Sequence, residues 1–113
     1  MLDRAHRVRS SSDFRNTMRR GRKAASPVAV IYARHPNRDG VPTRFGFVVS
    51  KAVGNAVVRN RVKRRARAIA AELLGQIPAG TAVVMRMLPA AAEVSWDTLR
   101  DQVTAATRRA VSA

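Results

Sequence analysis

Few residues in this 113-residue chain are of a type that does acid–base, nucleophilic or metal chemistry. Its acids are Asp3, Asp13, Asp39, Glu72, Glu93, Asp97 and Asp101. None forms a close pair suited to general acid–base or two-metal work. His6 falls in an N-terminal arm and His35 in a turn, neither with a ligand-like neighbour. There is no Cys, and no glycine-rich phosphate loop. The polypeptide therefore offers no active site of its own. What it does offer is positive charge. Residues 51–67 hold seven of the 22 Lys and Arg and no acid, and no Asp or Glu occurs between positions 40 and 71. Cations at this density neutralise phosphates and release their counterions, which gives affinity with little sequence preference.

A helix must present them. At about 100° per residue, Val58, Val62, Ala66, Ile69 and Leu73 stack into one apolar stripe. Arg59, Asn60, Arg61, Lys63, Arg64, Arg65 and Arg67 occupy the remaining circumference. Asn55 is placed to cap the helix and Gly54 to make the turn that feeds it. Like charges on one helix repel, so the pattern costs folding free energy unless a polyanion neutralises it. A merely solvated basic face would account for two or three arginines. This many, without acids at helical spacing, points to nucleic acid.

The same stretch, Ser50-Lys51-Ala52-Val53-Gly54-Asn55-Ala56-Val57-Val58-Arg59-Asn60-Arg61-Val62-Lys63-Arg64, resembles the signature segment of the bacterial ribonuclease P protein family. Its centre is Arg59-Asn60-Arg61, preceded by Val-Gly-Asn-Ala and followed by Lys63-Arg64. Ala52 is a departure, since the family usually carries a second Lys there. The resemblance implies an endonuclease whose large RNA subunit holds the catalytic site with bound Mg²⁺. The protein would secure that RNA and hold the 5′ leader of precursor tRNA, with no obligate protein partner. It implies an RNA-facing helix carrying Arg59, Asn60, Arg61, Lys63, Arg64, Arg65 and Arg67, flanked by Lys51 and Asn55. It also implies a leader groove lined by Phe14, Met18 and Tyr32, with Met18 standing where a second aromatic is common. From spacing alone Phe14 and Met18 read first as ordinary core, and Tyr32 as a core residue with its hydroxyl at the rim; the resemblance is what moves them towards the groove.

Composition agrees. A formal net charge of +15 and a pI near 12 make a polyanion the expected partner. The 46% hydrophobic content argues against disorder, and the length suits one domain over residues 1–113, with residues 1–11 as a basic arm. A membrane partner is not expected, because no apolar run approaches the roughly 20 residues of a spanning helix. The N-terminus lacks the apolar core of a secretory signal, and the absence of Cys fits a cytoplasmic protein.

In chain order, Ser10 to Asp13 offers N-cap chemistry for a short helix that Gly21 stops. Residues 22–27 read as a linker and residues 28–34 as a strand. Residues 35–40 are dense in turn formers, and residues 43–50 read as the return strand. The basic helix follows, closed by Gly75. Residues 81–88 form a near-continuous apolar strand, which suits a buried central or parallel position. Ser95 caps a last helix whose stripe is Trp96, Leu99, Val103, Ala106 and Ala110, with Trp96 in the core. The expected fold is an α/β two-layer sandwich in the order helix, strand, strand, helix, strand, helix. The resemblance adds a left-handed β-α-β crossover, against the strong right-handed default. A ribosomal or other structural RNA-binding protein would share this charge and pattern without needing the signature segment. A DNA-binding helix-turn-helix would need a helix, not a strand, before the basic one.

Overall fold

The computed structural model of the chain describes residues 6–8, 10–35 and 42–112. Helix α1 (Ser11–Arg20) is followed by strands β1 (Arg22–Ala25), β2 (Ala29–Arg34) and β3 (Arg44–Val49). Then come the basic helix α2 (Ala56–Leu73), strand β4 (Ala82–Met87) and helix α3 (Trp96–Ser112). The four strands form one sheet in the order β1-β2-β4-β3. β2 is antiparallel to both β1 and β4, and β3 runs parallel to β4 with α2 as their connection.

Two expectations fail here. Residues 22–25 are a strand, not a linker. Only Ala24 of β1 is buried, so the strand shows none of the alternation that sequence reading relies on. The second failure is the hairpin. β3 does not return beside β2, because β4 lies between them. β4, expected in a central or parallel position, has both: it lies between β2 and β3 and runs parallel to β3. Five of its six residues are buried. The expected turn over residues 35–40 lies, from 36 on, outside the described residues.

One face of the sheet makes the core. Ile31 and Ala33 of β2, Phe45 of β3, and Val83, Met85 and Met87 of β4 meet the stripes of two helices. Those stripes are Val62, Ala66, Ile69 and Leu73 of α2, and Leu99, Val103, Ala106 and Ala110 of α3. Each fully buried Leu, Ile, Val or Phe contributes about 1.5–3 kcal/mol. Trp96 packs against this core but stays half-buried at the start of α3. Helix α1 lies on the opposite face, so the sheet is covered on both sides, though only partly on this second one.

The helix ends follow local rules. The Asn55 side chain accepts a hydrogen bond from the N–H of Val58 at 3.0 Å, and Ser95 does the same for Thr98 at 3.2 Å. Gly54 has φ 155°, and a Cβ there would lie 2.8 Å from Val58 Cγ1, so only glycine fits the turn into α2. Gly75 does not close α2 in the way expected. The helix instead tightens at Leu73 into a 3₁₀ turn, Leu74–Gln76, and Gly75 is not among the positive-φ glycines. Within the stretch read as a basic arm, residues 7–8 lie against the sheet. Val8 is buried and donates its N–H to the Phe45 carbonyl at 2.8 Å, which ties this segment along β3.

Candidate nucleic-acid interface

Helix α2 sorts its polar side chains into three sectors. Arg59, Lys63 and Arg67, at i, i+4 and i+8, lie beside the sheet edge formed by β3. With Phe47 and Val49 of that strand, Arg59 and Lys63 line a recess of about 280 Å³. Asn60, which also lines that recess, and Arg64 are exposed to solvent beside an exposed Val57, with Lys63 and Arg67 bordering both sectors. Arg61 and Arg65 follow on the far flank, where the Arg61 guanidinium donates to the Ala92 carbonyl at 3.3 Å. The basic residues foreseen from sequence are thus all on α2, but they do not share one face. Lys51 stands exposed in the 3₁₀ turn Lys51–Val53, and Asn55 is exposed while its side chain caps the helix.

The β3-edge sector is the one built for an anion. The Nε atoms of Arg59 and Arg67 are shielded from solvent and have no hydrogen-bond partner among the described residues. A shielded donor without an acceptor is costly, and a phosphate oxygen would satisfy it. The helix supplies no relief of its own: its first turn has no acid, and Glu72 near its other end is paired with Arg100 at 2.8 Å.

The second surface is the sheet face that carries α1. Ser10 caps α1 by accepting from the N–H of Asp13 at 3.1 Å, and Asp13 pairs with Arg44 of β3 at 2.9 Å. That pair and the buried Thr17 fix the helix across the sheet. Phe14 lies half-buried directly over Gly46, where a Cβ would come within 2.6 Å of its ring. Met18, one turn on, is also half-buried. Tyr32 shares this face but is only 8% exposed, which leaves little of its ring for a ligand. The three residues expected in a groove are therefore on one face, with unequal access to it.

The two surfaces join. Phe14 and Gly46 share a recess of about 230 Å³ with Arg7, Lys63 and Arg67. An aromatic ring and the cations of α2 therefore meet around the β3 edge. Such a combination takes single-stranded nucleic acid through stacking and phosphate contact. Sequence reading missed Arg7, Gly46, and Arg86 on the same face as Phe14. Gly46 carried a signal, since a glycine inside a strand marks close approach of another group. Arg86 carried one too, as the charge that interrupts the apolar run of β4.

Comparison with known proteins follows the same line. The family model Ribonuclease P matches residues 2–111. The ribonuclease P protein component of Clavibacter michiganensis is 48% identical over 111 residues, covering 98% of this chain and 97% of that protein. Among solved structures, a Staphylococcus aureus RNase P protein mutant superposes with a TM-score of 0.85 at 25% identity, covering 94% of this chain and 88% of its own. The RNase P protein from Thermotoga maritima gives 0.76 at 28% identity, with 90% and 96% covered.

Proposed function

The chain belongs to the ribonuclease P protein family and is a protein subunit of the tRNA-processing endoribonuclease; from that premise we propose a division of labour with its RNA. The RNA subunit carries the catalytic site, and this chain binds that RNA and the 5′ leader of precursor tRNA. The observation that carries the reading is the continuity of the α2 cations with Phe14 around the β3 edge. The resemblance assigns Arg59, Asn60, Arg61, Lys63, Arg64, Arg65 and Arg67 to RNA, with Lys51 and Asn55 at the margin. It assigns Phe14, Met18 and Tyr32 to the leader groove. The sectors of α2 refine this: Arg59, Lys63 and Arg67 face the groove side, and Arg61 and Arg65 the opposite flank.

The mechanism follows from position. Holding the leader away from the scissile bond lowers the entropy cost of placing that bond in the RNA site. Charge and stacking suit a leader of variable sequence, because neither reads base identity. Mg²⁺ belongs with the RNA in this division. Among the described residues no three His, Cys, Asp or Glu come together to hold a metal ion. Among them, too, no helix is long and apolar enough to cross a membrane. We place the protein in the cytoplasm with its RNA.

Affinity measurements on the RNA subunit with and without this protein test the leader role. Adding the protein should tighten precursor tRNA and leave mature tRNA, which has no leader, nearly unchanged. Equal tightening of both would overturn it.

A further inference from the structure

The uncovered part of the α1-bearing face contains a charge that the groove residues above do not explain. The register places Lys23, Tyr32, Val84 and Gly46 in one row across β1, β2, β4 and β3. Tyr32, Val84 and Gly46 are buried, and Phe14 lies over Gly46. Two residues further along, Val30, Arg86 and Val48 form the next row. Here cover stops. Val30 and Val48 are half-buried, and Arg86 is the one exposed residue of the central strand. Among the described residues Arg86 makes no hydrogen bond or ion pair, whereas Arg44 on the same face is tied to Asp13.

A charge in mid-strand, flanked by two valines, is poorly placed for sheet stability. Guarding a sheet edge against aggregation does not explain it, because β4 is central. Its stem can lie on the valine methyls while its guanidinium reaches out. The two rows are separated by ~6.6 Å along the strand, a distance within reach of one extended nucleotide. We propose that Arg86 binds a leader phosphate on the open floor of the sheet, next along from the nucleotide held at Phe14. This rests on the reading of that face as the leader site, and adds a direction: the leader runs from the α1-covered row towards the Val30–Arg86–Val48 row. The leader is then held chiefly by charge at this point, which fits the small exposure of Tyr32.

The test uses holoenzyme reconstituted with the RNA subunit, with Arg86→Ala and Arg86→Lys proteins checked for unchanged melting and Phe14→Ala checked to be fully folded at the assay temperature. Arg86→Ala should weaken precursor tRNA roughly tenfold, as expected when one charge-assisted hydrogen bond is removed, with mature tRNA unaffected. Arg86→Lys should restore most of the affinity. Precursors carrying a single neutral methylphosphonate in the leader should contain one linkage at which the Arg86→Ala defect disappears. No such linkage, or equal weakening of precursor and mature tRNA, would overturn the proposal. If Phe14→Ala discriminates precursor from mature and Arg86→Ala does not, the groove stands and Arg86 fails. If neither discriminates, the groove reading itself fails.

Discussion

Replacing Arg59, Lys63 and Arg67 together with alanine will weaken RNA binding by about three orders of magnitude, at every sequence tested. Each removed charge-assisted hydrogen bond to phosphate is worth about 1.5 kcal/mol, or roughly tenfold in affinity. The salt dependence should flatten as well, by about 0.9 for each duplex phosphate no longer neutralised and about 0.7 for each single-strand phosphate, so by roughly 2–3 in all. These three are chosen because α2 turns them towards the β3 edge, where the Nε atoms of Arg59 and Arg67 have no partner among the described residues. Removing like charges relieves repulsion on the helix, so the melting temperature should not fall greatly. Arg61→Ala with Arg65→Ala is the companion. Its effect on the leader should be smaller, since that flank faces away and Arg61 is engaged with the Ala92 carbonyl. An unchanged salt slope in the triple variant would show that the β3-edge sector does not meet phosphate.

Phe14→Ala should cost the holoenzyme about 1–3 kcal/mol in precursor tRNA affinity, the range for removing an aromatic stack, and leave mature tRNA binding intact. Phe14 is half-buried, so a modest drop in stability will accompany this. Tyr32→Ala should behave differently. At 8% exposure Tyr32 is close to a core residue, and truncation should cost about 3–5 kcal/mol of folding stability, as for a buried aromatic. Gly46→Ala separates geometry from chemistry. Its Cβ would lie 2.6 and 2.7 Å from two ring atoms of Phe14, so the ring must move although it is still present. A leader defect like that of Phe14→Ala is expected. If Phe14→Ala instead weakens precursor and mature tRNA equally while lowering the melting temperature, Phe14 is core and not groove.

What could be read in the sequence was what depends on neighbours in the chain. The apolar stripes of α2 and α3, the caps at Asn55 and Ser95, and the burial of β4 all follow from local periodicity and local hydrogen bonding. What escaped depends on how distant segments meet. Strand β1 has one buried residue and is held by distant partners, through pairing with β2 and the Arg109 guanidinium of α3 on the Ala25 carbonyl at 2.8 Å. The order β1-β2-β4-β3 is settled by which strand needs cover on both faces, and a turn signal between two strands does not decide that. The α2 cations were legible as a set but not as three sectors, because their division depends on where the β3 edge and the Ala92 carbonyl lie. Phe14 was legible as a candidate, while its seat on Gly46, brought together from α1 and β3, was not.

Cleavage of precursor tRNA by the RNA subunit, at Mg²⁺ low enough for the RNA alone to be slow, tests the division of labour most directly. Adding this protein should restore production of mature 5′ ends, and the protein without RNA should produce none. Mature 5′ ends from RNA-free protein that survive nuclease-trap controls would contradict it, as would a cleavage rate that the protein leaves unchanged.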